Sequence, residues 1–217
     1  MKFEAPVTLL FDNDGTLLSS MDSVLRCWTA WAREYGISPE DFAAVELHGR
    51  PAADIVGDLL PAERVPEAVD RIGRLEIEDV ARGGAVALPG TAALLAALPE
   101  GSWAVVTSAT RELAEARLRA VGVEAPLLVA ADDITRGKPD PEPYLLAARK
   151  LGADPARCVV FEDAPAGLEA GRRAGMGTVG LATTHPRDEL RADVVVEHLG
   201  SVTAQVTASG VTVVAED

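Results

Sequence analysis

The sequence predicts an α/β protein: a doubly wound, mostly parallel sheet with one inserted α-helical cap. Three observations carry this reading. Short apolar, β-branched runs recur along the chain, helical patterns separate them, and residues 19–83 hold several helical stretches with no convincing strand. A chain of 217 residues is long enough for one domain with a sizeable insertion or for two small domains. Hydrophobic residues make up 48% and charged residues 25%, which places it among folded globular chains rather than disordered ones.

The first run, Val7-Thr8-Leu9-Leu10-Phe11, stops at Asp12-Asn13-Asp14-Gly15 and reads as a buried strand ending in a polar turn. Residues 103–106, 127–130, 158–161, 178–181 and 193–196 repeat the pattern. Helical patterns at 91–98, 111–121, 141–151 and 164–174 lie between them, each long enough to cross a sheet face. Alternation of this kind implies a parallel, Rossmann-like sheet covered on both sides. Residues 1–18 and 84–217 are therefore expected to form the core and 19–83 the cap. Two hinges would join them, one at 16–20 and the other around Gly83-Gly84 and Leu88-Pro89-Gly90. The alternating tail Val202, Ala204, Val206, then Ser209-Gly210, then Val211 and Val213, predicts a terminal hairpin.

Composition also excludes functions. Acidic residues outnumber Lys and Arg by 34 to 20, a formal charge of −14, so phosphate backbones and anionic lipid would be repelled. Neither nucleic acid nor a membrane is an expected partner. Met1–Pro6 carries no basic segment followed by an apolar run, and no stretch approaches the roughly 18 apolar residues of a membrane span, so a cytoplasmic location is expected. The two cysteines, Cys27 and Cys158, are far apart and read as buried thiols.

In open α/β sheets ligands bind beyond the carboxyl ends of the strands. The residues found there are Asp12 and Asp14, then Thr107 and Ser108, then Lys138 after the third run's loop, then Glu162 and Asp163. Carboxylates, hydroxyls and one ammonium converging on one rim suit phosphoryl transfer. The carboxylates Asp12, Asp14, Glu162 and Asp163 would hold Mg²⁺, a hard cation, with Glu162 either a ligand or one shell removed. Lys138 and the Thr107 and Ser108 hydroxyls would hold phosphate oxygens, although the hydroxyls could equally cap the next helix. Lysine occurs only at positions 2, 138 and 150, so Lys138 is not drawn from a lysine-rich surface.

Asp12-Asn13-Asp14-Gly15-Thr16-Leu17 resembles the Asp-x-Asp-Gly-Thr signature of the haloacid dehalogenase-like hydrolase superfamily. Thr107, Lys138 and Glu162-Asp163 match its other motifs in order. Residues 103–108, 137–144 and 161–167 are similar to the hexose-phosphate, 2-deoxyglucose-6-phosphate and glycerol-phosphate phosphatases of that superfamily. The resemblance implies that Asp12 is the nucleophile, forming an aspartyl-phosphate, and that Asp14 protonates the leaving alcohol and then deprotonates water. It implies a lid role for the helical cap, where His48 and Arg50 are either substrate contacts or a helix-end His and a surface Arg. Trp28, Trp31 and Tyr35 share one helix face, a pattern of core more than of a ligand platform, and Thr110 and Arg111 lie near the rim.

No lysine lies between Ser19 and Gly83, which removes the Schiff-base chemistry of phosphonate-cleaving relatives and counts against a mutase. Asp14 argues against dehalogenation, because the superfamily's dehalogenases lack the second aspartate. The expected activity is Mg²⁺-dependent hydrolysis of a small sugar or polyol phosphate by a monomer or weak homodimer. A sugar-phosphate mutase and a non-catalytic phosphometabolite-binding module are the alternatives.

Overall fold

The computed structural model describes residues 1–3, 7–45, 47, 50–207 and 210–215. Its strands are β1 (Lys2–Phe3), β2 (Thr8–Phe11), β3 (Leu18–Ser19), β4 (Val86–Ala87), β5 (Trp103–Val106), β6 (Leu128–Val129), β7 (Cys158–Glu162), β8 (Gly177–Leu181), β9 (Val194–Val196), β10 (Val202–Thr207) and β11 (Gly210–Ala215). Its helices are α1 (Met21–Tyr35), α2 (Pro39–Ala43), α3 (Ala52–Leu59), α4 (Val65–Val80), α5 (Thr91–Ala96), α6 (Arg111–Ala120), α7 (Glu142–Leu151) and α8 (Pro165–Arg173).

Six strands form one all-parallel sheet in the order β6-β5-β2-β7-β8-β9. The chain builds outward from β2 to β5 and β6, then crosses back to add β7, β8 and β9 on the other side. That reversal makes the carboxyl end of β2 the topological switch point, where α/β sheets open a crevice. Both faces are buried, which is why these strands read as continuous apolar runs. Leu9, Phe11, Val105 and Phe161 face one side, and Leu10, Ala104, Val106 and Val160 the other. Phe11 and Phe161, neighbours in register, stack at 4.7 Å.

The segment between β3 and β4 is helical, as its pattern predicts, and α1–α4 pack around a separate apolar cluster that includes Trp28, Trp31, Ile55 and Ile72. Trp31 is fully buried and its indole N–H donates to Ala68 O at 2.9 Å. Trp31 stacks on Tyr35 within this cluster, whereas Trp28 also lines the cavity that Asp12 borders. The connections into and out of the helices pair with each other: β3 and β4 run antiparallel, Leu18 against Ala87. Leu17 O accepts from both Leu88 N and the Thr91 hydroxyl. Two residues per strand leave no periodicity for the sequence to display, so this ladder was not foreseen.

The terminal hairpin is present as β10 and β11, with Thr207 opposite Gly210. β1 adds to it as a third strand, Phe3 facing Val213, and is too short to have been read from its two residues. Residues 127–130 contribute only two strand residues, and the helix expected at 91–98 ends at Ala96.

Cys27 and Cys158 are free and buried. Burial pushes the Cys158 thiol up to about 11, with Asp154 adding to the shift. A thiol that ionises more readily unfolded, near pH 8.5, leaves native stability intact below that pH and erodes it as pH rises toward 11. The urea midpoint of the wild type should therefore fall more between about pH 8 and pH 10.5 than that of Cys158→Ala. Parallel slopes for the two proteins would refute this.

Candidate active site

Asp12 follows β2 directly and its N–H donates to Phe161 O at 2.9 Å, which continues the β2–β7 ladder one step past the strand. The chain then turns sharply. Asn13 O accepts from the N–H groups of Leu17 and Leu18, and Gly15 adopts φ +90°, left-handed backbone that disfavours any side chain. A Cβ at Gly15 would also collide with the Asp163 carboxylate. The turn thus brings the β2 loop against the end of β7.

Lys138 is buried at the centre of the rim. Its Nζ donates to Asp12 Oδ1 at 2.5 Å, Glu162 Oε1 at 2.7 Å and Val106 O at 3.0 Å, using all three ammonium protons. Burial alone would lower its pKa, but the facing Asp12 and Glu162 carboxylates reverse this, so the ammonium is held above the usual lysine range. Glu162 is equally committed. Its Oε1 also accepts from the Tyr144 hydroxyl at 2.9 Å, and its Oε2 from the N–H groups of Asp163 and Ala164, the residues leading into α8. Gly167, in the first turn of α8, leaves the space this carboxylate fills. Burial pushes the Tyr144 hydroxyl well above its ordinary value, the Glu162 charge adds to this, and the hydroxyl stays a donor.

Asp163 accepts from the Thr16 hydroxyl at 3.3 Å and from Thr184. Carboxylate oxygens of Asp12, Glu162 and Asp163 lie within 4.8 Å of one another, an all-oxygen donor set of the kind hard cations prefer. Three carboxylates face one ammonium. Burial pushes the Asp12 carboxyl well above the carboxylate range, Lys138 pulls it down, and the Glu162 and Asp163 charges push it up again.

Asp14 is not part of that group of three. Its Oδ1 accepts from the Ser20 hydroxyl at 2.6 Å and pairs with Arg117 Nη1 at 3.1 Å. Its Oδ2 accepts from the Asn13 amide. The two carboxylates of the Asp12-Asn13-Asp14 segment therefore face one cavity but different cations. Arg117 in turn reaches Glu76 of α4 at 2.9 Å, and burial holds the Glu76 carboxyl above its ordinary value despite that guanidinium. The cavity holds about 200 Å³. Asp12, Asp14, Lys138, Glu162 and Asp163 line it, as do Thr107, Ser108 and Thr110 after β5. Thr107 Oγ1 accepts from Ala109 N, so it supports the local turn as well. Arg50 borders the same space with its guanidinium paired to Asp58 at 2.8 Å, and His48 lies outside the described residues. Arg111 points its hydrogen bonds elsewhere, to Leu128 O and Asp133, and does not line the cavity.

Residues 7–175 match the family described as haloacid dehalogenase-like hydrolase. The chain belongs to the haloacid dehalogenase-like hydrolases. It is 39% identical over 208 residues to hexitol phosphatase A of Escherichia coli, covering 93% of this chain and 95% of that one. It is 34% identical over 209 residues to glycerol-1-phosphate phosphohydrolase 2 of Saccharomyces cerevisiae, covering 89% and 82%. Among solved structures it resembles a hydrolase from Pseudomonas syringae at TM-score 0.77 and 26% identity, covering 89% and 94%.

Four residues around this cavity have no site role in the sequence analysis: Ser20, Glu76, Arg117 and Tyr144. A signal existed for Glu76. It interrupts the buried stripe Ala68, Ile72, Val80 on α4 with a charge, and a charge on an apolar stripe requires a partner. Nothing in the sequence says that the partner is Arg117, 41 residues away.

Removing the Lys138 charge leaves Asp12 and Glu162 buried without their cation. Lys138→Met should therefore lower unfolding free energy by about 3–5 kcal/mol at neutral pH in metal-free buffer. Urea denaturation followed by circular dichroism measures this, and a wild-type midpoint in the variant would contradict the structural role assigned to the ammonium.

Proposed function

We propose that this chain, a phosphoric monoester hydrolase of its family, uses Mg²⁺ and hydrolyses a small sugar or polyol monophosphate through an aspartyl-phosphate on Asp12. The observation that carries the reading is the buried cluster at the switch point, where Asp12, Glu162 and Asp163 surround a shared space and Lys138 supplies the only ammonium bordering it. The donor set fits a hard divalent cation, since the oxygens of three acidic groups meet with one ammonium between them, and burial together with the Glu162 and Asp163 charges holds Asp12 toward its neutral form. Asp12 and Asp163 would be direct ligands. Glu162, with both oxygens already accepting hydrogen bonds, would chiefly hold Lys138 and the start of α8 in place. Held by Asp12 and Asp163, a bound Mg²⁺ would supply the positive charge that favours the ionised Asp12 and polarises a phosphoryl group.

The Asp12 carboxylate attacks phosphorus as the P–O bond to the alcohol breaks, and the leaving oxygen takes a proton from Asp14. Water then gives a proton to the Asp14 carboxylate while attacking the acyl phosphate, which releases inorganic phosphate and restores Asp12. Ser20 and Arg117 hold the Asp14 carboxylate over the cavity. Thr107, Ser108 and Lys138 would orient the phosphoryl oxygens, and Arg50 or His48 would touch the substrate from the helical side. On this reading residues 19–83 are a lid over a core of residues 1–18 and 84–217. The names of the hexitol and glycerol-phosphate relatives favour a small polyhydroxylated alcohol as the leaving group. No helix among the described residues is long and apolar enough to cross a membrane.

Asp12→Asn should abolish phosphate release from a panel of sugar and polyol phosphates while keeping the circular dichroism spectrum. Asp14→Asn should lose about 10²–10⁴-fold in turnover. Chelation with EDTA should stop the wild type and added Mg²⁺ restore it. Wild-type turnover by Asp12→Asn would sink the mechanism, and accumulation of an isomeric phosphate in place of inorganic phosphate would identify a mutase.

A further inference from the structure

The cavity wall that does not come from strand ends is built by helices, and α4 contributes Val69, Gly73 and Glu76, one stripe at helical spacing. Gly73 is the unusual member. It lies in the interior of a 16-residue helix, where glycine weakens the helix relative to alanine. Its backbone is not left-handed, and a Cβ built there would meet no atom within 4 Å. Neither conformation nor close approach requires a glycine at this position. What its missing side chain leaves is open space beside the cavity, one turn from Glu76.

Glu76 and Arg117 are both more than nine-tenths buried, and both line the cavity. Arg117 joins Asp14 and Glu76 through its terminal nitrogens, while its Nε is buried with no hydrogen-bond partner. The other two cations on the wall, Lys138 and Arg50, are paired with Asp12, Glu162 and Asp58. Away from the phosphate end, the wall therefore offers the Glu76 carboxylate and a guanidinium already shared by two carboxylates, set among apolar side chains such as Val24, Trp28, Ile55 and Leu113, with open space at Gly73. A second anionic group on the substrate would meet Glu76 with no uncommitted cation on the described wall to balance it. Hydroxyl groups can donate to Glu76 and accept from Arg117.

We infer that Gly73, Glu76 and Arg117 form the leaving-group subsite, which selects an uncharged, hydroxyl-bearing carbon chain and sets the length it accepts. This rests on the phosphatase reading above and assigns the specificity of the same cavity. Gly73 determines reach and Glu76 determines charge.

The test compares kcat/KM for phosphate release by the Mg²⁺-loaded full-length protein on glycerol phosphate, a hexitol phosphate and 3-phosphoglycerate, which replaces one glycerol hydroxymethyl by a carboxylate. The wild type should favour glycerol phosphate over 3-phosphoglycerate by at least about tenfold, and Glu76→Gln should narrow that ratio severalfold. Gly73→Leu, a good helix former, should lower the ratio of hexitol to glycerol phosphate by about tenfold or more. A merely structural role would lower all substrates together and leave both ratios unchanged. Should Glu76→Gln not fold, the wild-type comparison and Gly73→Leu still decide. A wild type that cleaves no phosphate monoester defeats the phosphatase reading itself. An active wild type that treats 3-phosphoglycerate and glycerol phosphate alike, or a Gly73→Leu protein with an unchanged chain-length ratio, overturns the subsite alone.

Discussion

The Lys138 ammonium, buried among Asp12, Glu162 and the Val106 carbonyl, is the interaction on which the rest of the site depends. It ties together the ends of three adjacent strands, β5, β2 and β7, at the place where the winding direction of the sheet reverses. Without a cation there, the carboxylates that follow β2 and β7 would repel one another across a few ångströms of buried space. Its position is over-determined, because the three acceptors come from separate strands and the Tyr144 ring lies beneath it at 5.3 Å. A side chain with little freedom to move is what a preorganised site requires.

Charge is arranged around this point in two compartments. On one side Lys138 pairs with Asp12 and Glu162, with the Asp163 carboxylate beside them, and on the other Arg117 pairs with Asp14 and Glu76. Each compartment has more negative than positive charge, and both border one cavity. The two aspartates of the β2 loop, two residues apart, are thus placed in different electrostatic surroundings. On the proposed mechanism, that separation would let one act as a nucleophile and its neighbour as a proton carrier.

Much of the fold was legible because both faces of a parallel sheet are buried, so its strands stand out as apolar runs with polar residues at their ends. The same logic located Asp12, Thr107 and Glu162-Asp163, each immediately after such a run, and Lys138 was conspicuous as one of three lysines. The Arg117 pairings were not legible. They join α6 to α4 and to the β2 loop, and a contact between a helix of the insertion and a helix of the sheet layer leaves no trace in local periodicity. Arg50 stands out in the sequence as part of the polar break His48-Gly49-Arg50 between helical patterns, and it borders the cavity with Asp58 paired to it. Arg111 stands out only by nearness to the rim, which cannot show that Asp133 engages its guanidinium.

Gly15 and Gly167 add something that the charged residues do not. Each occupies a spot where any side chain would intrude on a carboxylate of the cluster, Asp163 in the first case and Glu162 in the second. Saturation mutagenesis scored by growth or turnover would consequently rank these two positions with the acidic residues, although neither carries a functional group. Intolerance to replacement in this enzyme measures steric clearance around anions as much as it measures participation in bond making.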